Sequence, residues 1–123
     1  MNNATIFWGK VKRGKSRGKD LGFPTANIAL HRIISDGLYL SKTKIKNMWY
    51  PALTFIGKAK TFHETTYQSE TYILDFNKNF YGEWVTIKLI QKMRENKKFN
   101  SKEDLVKQMR EDEKEAKKYF KLS

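Results

Sequence analysis

Ser69-Glu70-Thr71-Tyr72-Ile73-Leu74-Asp75-Phe76 is the stretch that most clearly predicts the fold. Successive side chains of a strand point to opposite faces, so a period of two in side-chain character predicts a β-strand. In this strand Glu70 shares a face with Tyr72, Leu74 and Phe76. A carboxylate on an otherwise apolar face is unusual, and Glu70 is therefore a candidate functional residue.

Strand patterns also occur along most of the remaining chain. The other long ones are Thr5–Lys12, Leu38–Ile45, Met48–Phe55 and Trp84–Met93. About six strands without strand–helix alternation favour an antiparallel sheet over a parallel one. Because a small open sheet has exposed edges, we expect it to close into a barrel. Trp8, Trp49 and Trp84 are expected in the core of this barrel, with the alternative that one of them is exposed and stacks on a ring.

The end of the chain has a different period. Ser101, followed three residues later by Asp104, resembles a capping box. Leu105, Met109, Ala116 and Phe120 then recur near helical spacing and form one apolar face. The pattern predicts one helix of about 18 residues packed on the barrel. Glu113 and Lys117 are expected to pair along it.

The composition describes one basic domain covering residues 1–123. The chain has 39% apolar residues and no cysteine, so a real core without disulfides is expected. No membrane-spanning stretch and no signal-peptide pattern occur, which predicts a cytoplasmic location. The net charge is +12, and residues 1–63 contain only Asp20 and Asp36 as acids. Such a field attracts polyanions: nucleotide phosphates, nucleic acid or acidic lipid.

Residues 14–27 form a glycine-broken basic segment that suits phosphate binding. Its glycines let backbone amides approach an anion, and its lysines and arginine add charge. Thr25 and Asn27, two residues apart in a strand, would share a face and offer oxygens of the kind that Mg²⁺ accepts. From these residues alone, a phosphate site and an ordinary basic loop stay equally open.

Residues 9–16 also match the P-loop pattern G-x-x-x-x-G-K-[ST]. A P-loop requires a helix directly after its Lys-Ser, because the amides at the helix N-terminus hold the phosphate. Gly18, Gly22 and Pro24 prevent such a helix here, so the P-loop interpretation is set aside.

An ordered set of motifs resembles the riboflavin kinase family. The most specific is G-x-x-x-G-x-x-L-G-F-P-T-A-N-I at residues 14–28. The others are Asp36-Gly37-Leu38-Tyr39, Tyr50-Pro51-Ala52, residues 70–76 with Phe80-Tyr81-Gly82, and Arg94 with Lys98-Phe99-Asn100-Ser101. The resemblance implies a mainly β fold, a six-stranded antiparallel Greek-key barrel with a C-terminal helix, which agrees with the strand count. It also implies transfer of the γ-phosphate of ATP to riboflavin, forming FMN.

The resemblance further implies roles for individual residues. Glu70 corresponds to the catalytic base, and Thr25 and Asn27 to the metal ligands, with Mg²⁺ expected at the phosphates of ATP. The nucleotide-binding residues implied are Gly14, Lys15, Arg17, Gly18, Lys19, Gly22, Pro24, Thr25 and Asn27. The flavin-binding residues implied are Arg94, Phe99 and Leu105.

Two features keep other interpretations in view. Phe55 and Lys60 stand where the family has asparagine and proline, so the role of residues 55–62 is open. Six basic residues within Lys10–Lys19 would also suit a non-enzymatic barrel that binds RNA or senses flavin. RNA binding needs neither Glu70 nor the Thr25/Asn27 pair, so we favour a monomeric kinase acting on riboflavin and ATP, without a membrane or nucleic-acid partner.

Overall fold

A computed structural model describes residues 5–11, 26–30, 32–60, 65–75 and 81–122. Its elements are β1 (Thr5–Lys10), β2 (Ala26–Ala29), β3 (Gly37–Ile45), β4 (Met48–Lys60), β5 (Thr65–Ile73), β6 (Trp84–Arg94) and α1 (Lys102–Tyr119). The predicted mainly β fold with one C-terminal helix is confirmed. The strand around Glu70 starts earlier than predicted, at Thr65, and pairs with an extended β4.

The strands form one antiparallel sheet in the order β1-β6-β3-β4-β5-β2. Strands β3, β4 and β5 follow one another, and β6 returns beside β3, which is the Greek-key order. The two sheet edges also approach each other, since a Cβ added at Gly9 would lie 2.6 Å from Ile28 Cγ2. Glycine permits this close contact of β1 with β2, and the sheet nearly closes into the predicted barrel.

The barrel interior is mostly apolar and contains a chain of three hydroxyls. Ile28, Ile56 and Ile87 are among the side chains that fill it. Ser41 Oγ lies 2.8 Å from Thr54 Oγ1, which lies 2.9 Å from Thr71 Oγ1. Each hydroxyl is therefore hydrogen-bonded despite complete burial, which offsets the cost of removing it from water.

Helix α1 packs on part of the outer face of the barrel. Its N-cap is Ser101, whose hydroxyl accepts a hydrogen bond from the Asp104 N–H at 3.1 Å, as the capping pattern predicted. The apolar residues buried between helix and barrel are Leu38, Leu40, Leu53, Leu74 and Ala116. The expected salt bridge of Lys117 with Glu113 is replaced by one to Asp75, at 3.0 Å.

The prediction that the three tryptophans lie in the core is wrong. Trp8, Trp49 and Trp84 are 69%, 45% and 65% exposed. In β1 and β6 the alternation sends Phe7 and Val85 into the barrel and the neighbouring tryptophans outwards. The tryptophans thus lie on the part of the outer face that α1 does not cover.

Two tight connections are defined by backbone geometry. Lys46 and Asn47 join β3 to β4 with φ angles of 50° and 67°, and such two-residue turns suit the twist of a hairpin. Tyr81-Gly82 forms a turn before β6, with a φ of 82° at Gly82. Within the described ranges no helix combines the length and the apolar character that crossing a bilayer requires. The cytoplasmic location stays a prediction.

Candidate active site

Strands β2 and β5 place two of the predicted site residues directly opposite each other. Asn27 and Glu70 are partners in the antiparallel register of these strands. Directly opposite residues have Cβ atoms about 4.5–5.5 Å apart on the same face of a sheet. Asn27 is 7% exposed and Glu70 5% exposed. Two polar side chains that were selected from separate motifs are thus buried side by side.

Both side chains belong to the outer face of the barrel. Their neighbour Ile28 points inwards into the core, and Thr71 joins the interior chain of hydroxyls. Alternation then directs Asn27 and Glu70 outwards. The predicted sharing of a face by Glu70 and Tyr72 is confirmed, because both line the same cleft.

That cleft lies between the barrel and α1. Its lining residues are Leu38, Leu53, Phe55, Glu70, Tyr72, Arg94, Leu105, Met109, Asp112 and Glu113. The structure therefore brings together Glu70 with Arg94 and Leu105, two of the residues predicted to bind flavin. The third, Phe99, is half-buried and is not one of the lining residues. Its role stays a prediction.

Most of the predicted nucleotide-binding residues lie outside the described part of the chain. They are Gly14, Lys15, Arg17, Gly18, Lys19, Gly22, Pro24 and Thr25. Asn27 is the described member of this set, and it follows them directly at the start of β2. The roles of the other eight stay predictions.

A bidentate ion pair fastens α1 beside the cleft. Arg94 Nε donates to Asp112 Oδ1 at 2.9 Å, and Arg94 Nη2 donates to Asp112 Oδ2 at 2.7 Å. Gln108 Nε2 donates to the same Oδ1 at 3.0 Å, so the buried carboxylate has several partners. The parallel hydrogen bonds fix the guanidinium plane, and Asp112 thereby sets the position of Arg94 at the cleft.

The functional position of Asp112 was missed from the sequence, although its place in the helix pattern indicated burial. Leu105, Met109, Asp112 and Ala116 are spaced by four, three and four residues, which places all of them on one face of the helix. A carboxylate on such a stripe must find a partner when it is buried. Arg94, at the end of β6, is that partner.

A second polar contact crosses the cleft between Tyr72 and Glu113. The Tyr72 hydroxyl donates to Glu113 Oε2. Burial raises the pKa of Tyr72 above its ordinary value of 10.0, and the nearby Glu113 carboxylate raises this pKa further. Tyr72 therefore stays a neutral hydrogen-bond donor at physiological pH. The sequence did not predict this contact, since Glu113 was expected to pair with Lys117.

The oxygen donors at this site suit a hard cation held together with phosphates. Among the described side chains, no group of three or more His, Asp or Glu is placed to hold a metal ion. Mg²⁺ commonly takes only one or two protein ligands and completes its shell with substrate phosphates and water. The Asn27 side chain carries an amide oxygen of the kind that such a site uses, and it lies opposite Glu70 in the strand register.

Comparison with known proteins decides the family. The sequence profile of the riboflavin kinase family matches residues 1–120. This chain belongs to the riboflavin kinase family. The resemblance found in the motifs is confirmed, and the family uses ATP as the phosphate donor.

Individual relatives agree with this assignment. The bifunctional riboflavin kinase/FMN adenylyltransferase of Listeria monocytogenes is 37% identical over 116 residues, 91% of this chain and 37% of that protein. The RNA-binding riboflavin kinase RibR of Bacillus subtilis is 33% identical over 110 residues, 88% of this chain and 48% of that protein. The chain spans 18% to 38% of the length of the first curated relatives that it matches.

A solved structure supports the fold. The riboflavin kinase from Trypanosoma brucei superposes with a TM-score of 0.63 at 26% identity, covering 94% of this chain and 79% of that one. A six-stranded antiparallel barrel with one C-terminal helix is therefore the fold of a riboflavin kinase.

Proposed function

We propose that this chain, as a single domain over residues 1–123, is a riboflavin kinase that transfers the γ-phosphate of ATP to the ribityl 5′-hydroxyl of riboflavin and forms FMN. The observation that carries the proposal is the pairing of Asn27 with Glu70 across β2 and β5 at the edge of a cleft. In a member of the riboflavin kinase family, this pairing supports Asn27 as a metal ligand and Glu70 as the general base.

Glu70 would act on the hydroxyl that attacks the γ-phosphate. Phosphoryl transfer depends mainly on positioning and on neutralising charge, so the protein needs one group that orients the hydroxyl and accepts its proton. Glu70 is almost fully buried and lines the cleft, which holds its carboxylate in one place. General-base assistance of this kind contributes about 10²–10⁴-fold to the rate.

Asn27, together with Thr25 as predicted from the sequence, would hold Mg²⁺ at the phosphates of ATP. When bound, the ion neutralises charge on the phosphate oxygens. The glycine-rich basic segment that precedes these residues would cover the nucleotide, with backbone amides and cationic side chains directed at the phosphates. Asn27 would thus position the ion, and its burial beside Glu70 suits this role because it restricts the side chain.

The flavin ring would enter between α1 and the barrel. The cleft there has apolar walls from Leu53, Phe55, Leu105 and Met109 and a cation at Arg94. Its volume is about 50 Å³, whereas pockets for ligands of this size measure about 300–1,000 Å³. Binding therefore requires α1 and the cleft side chains to move apart, and the Tyr72–Glu113 contact has to accommodate that movement.

The test is an assay of FMN formation by the purified protein with Mg-ATP and riboflavin, with product separated by chromatography. We expect FMN to form, and Glu70→Gln to lower the rate about 10²–10⁴-fold because the base is lost while the shape is kept. The matched control is Glu115→Gln, which alters an exposed glutamate of α1. Equal rates for Glu70→Gln and the parent would remove Glu70 from the mechanism.

The same assay distinguishes the kinase from the non-enzymatic alternative. A barrel that only senses flavin would bind riboflavin and leave ATP unchanged. Absence of FMN with every divalent cation tried, alongside measurable riboflavin binding, would favour that sensor. A monomeric state stays a prediction that light scattering during the same purification tests.

A further inference from the structure

The outer face of the barrel that α1 leaves uncovered carries an unusual set of side chains. Its members are Trp8, Trp49, Trp84, Lys10, Lys42, Lys44 and Lys88, here called the tryptophan–lysine face. None of the ten residues that line the cleft belongs to it. Three exposed indole rings on one small domain are costly to leave in water, so this face calls for a function of its own.

The strand register shows how the rings and charges are arranged. Trp8 pairs with Thr86, Thr86 with Lys44, and Lys44 with Trp49, so one row crosses four strands. Neighbouring strands are about 4.8 Å apart, which separates the two tryptophans of this row by about 14 Å.

The next two rows place more lysines and the third ring around the first row. On one side, Lys88 pairs with Lys42. On the other side, Lys10 pairs with Trp84. Trp49 borders Lys44 and Trp84 borders Lys10, whereas Lys42, Lys44 and Lys88 are neighbours of one another. Rings and ammonium groups therefore share one surface, with each kind in contact range of the other.

The charge of this face is strongly positive. Within the described ranges, none of its four lysines takes part in a salt bridge. The nearby acid Glu83 is engaged with Lys46 at 3.5 Å, outside this set. Lys44 Nζ lies 5.8 Å from the centroid of the Trp49 ring, a cation–π arrangement that keeps this ring and its charge together.

We propose that the tryptophan–lysine face binds single-stranded nucleic acid. Bases stack on exposed aromatic rings whatever their identity, and lysines contact the phosphates between them. The face offers rings and lysines side by side, at Trp49 with Lys44 and at Trp84 with Lys10, so one strand of nucleic acid can use both kinds of contact. An anionic membrane fits less well, because lysines lie between the rings and interrupt the apolar surface that would enter the lipid.

The binding is expected to be tolerant of sequence and sensitive to salt. The face offers planar rings and point charges but no fixed set of donors and acceptors that could read base edges. This property is separate from the proposed kinase activity, because it uses different residues on a different part of the barrel.

The experiment measures binding of a fluorescent oligouridylate of about 12 nucleotides to the full chain, by anisotropy and by quenching of tryptophan emission. The parent protein should bind and its emission should fall. Trp8→Ala combined with Trp84→Ala should weaken binding at least about tenfold, since stacking contributes about 1–3 kcal/mol per base. Lys42→Gln with Lys88→Gln should reduce the log–log salt slope by about 1.4, because each phosphate contact contributes about 0.7.

Three comparisons make the result specific. Lys107→Gln with Lys114→Gln removes the same charge from the exposed side of α1 and should leave binding and slope unchanged. Saturating Mg-ATP and riboflavin should not displace the oligonucleotide. The tryptophan variant should still form FMN at the parental rate, which shows that it is folded.

Four outcomes would overturn the proposal. They are absence of oligonucleotide binding, binding that the tryptophan variant retains in full, displacement by Mg-ATP, and quenching by phosphatidylserine vesicles but not by the oligonucleotide. The last of these would assign the face to an anionic membrane surface. Displacement by Mg-ATP would instead place the oligonucleotide in the nucleotide site.

Discussion

The outer face of the barrel has a covered half, on which α1 packs, and a bare half, which α1 leaves exposed. The two halves differ in character although the same strands build both. In β3 the outward residues Leu38 and Leu40 pack under α1. The next outward residues of the same strand, Lys42 and Lys44, lie on the bare half. In β6 the change falls between Ile90, which packs against the covered cluster, and Lys88. The boundary of the helix is thus marked in two strands by a switch from aliphatic to basic residues on one face.

The difference teaches that an outward-facing position takes its character from what covers it. Under α1, leucines exclude water, and the polar residues there, such as Asp112, are bonded in pairs. On the bare half, large rings remain exposed and cations stay without acidic partners among the described residues. Substitutions of similar size should therefore have very different consequences on the two halves.

The largest effect on stability is expected from Asp112→Ala on the covered half. Removing this buried carboxylate leaves the partly buried Arg94 guanidinium without its ion pair, which should cost up to about 3–5 kcal/mol of unfolding free energy in urea melts. Glu111→Ala, one residue earlier and exposed, should change stability by less than about 0.5 kcal/mol.

A double substitution separates the structural role of this ion pair from its proposed functional one. Arg94→Met with Asp112→Leu should recover much of the lost stability, because an apolar pair replaces the ion pair. FMN formation should stay low, since Arg94 is predicted to contact the flavin. A stable double variant with parental activity would show that Arg94 only fastens the helix.

The next prediction compares the loss of stability on truncating a buried leucine with that on truncating an exposed tryptophan. Leu40→Ala should destabilise the protein by about 2–5 kcal/mol, because Leu40 is only 4% exposed and leaves a cavity. Trp84→Ala removes a larger side chain but should change stability by about 0.5 kcal/mol or less, since Trp84 lies on the bare half. Similar losses in urea melts for both would contradict the division of the outer face.

The smallest effect concerns Tyr72→Phe and its dependence on pH. Loss of the hydrogen bond to Glu113 should cost about 1 kcal/mol near neutral pH. The folded-state pKa of Tyr72 is raised above 10.0, so its stabilising effect is fully present below about pH 10 and is lost as the pH rises towards the folded-state value.

Thermal unfolding at several pH values tests this loss of stabilisation in alkaline solution. The difference between parent and Tyr72→Phe in thermal unfolding should be constant from about pH 7 to about pH 9 and should shrink above about pH 10. A difference that grows in alkaline solution would contradict a tyrosine kept neutral by burial.

Much of the fold could be predicted because local patterns decide it. Alternation located β3 and β6 to within a residue or two, and Ser101 correctly marked the start of α1. The bounds of β5 were less accurate, because its first residues, Thr65–Gln68, lack an apolar alternation and belong to the sheet through their partners in β4. Such pairing depends on the neighbouring strand and not on the segment itself.

The site was predictable only in part, for the same reason. Glu70 was visible as a carboxylate on an apolar face, but its opposition to Asn27 depends on strand register over more than forty residues of chain. The tryptophans were misplaced because size and hydrophobicity suggest burial, and only the position of α1 shows which outward face is left bare. Asp112 could have been paired with Arg94 only once helix and barrel were docked.

The hydroxyls of Ser41, Thr54 and Thr71 have a collective property. Each carries a single proton, so Thr54 can donate in at most one of its two contacts, and at least one of Ser41 and Thr71 must donate to it. Turning the Thr54 hydroxyl from one neighbour to the other would require both neighbours to rotate, because two protons would otherwise meet in one contact and two lone pairs in the other. The rotamers of hydroxyls on three different strands are thereby coupled at the centre of the barrel.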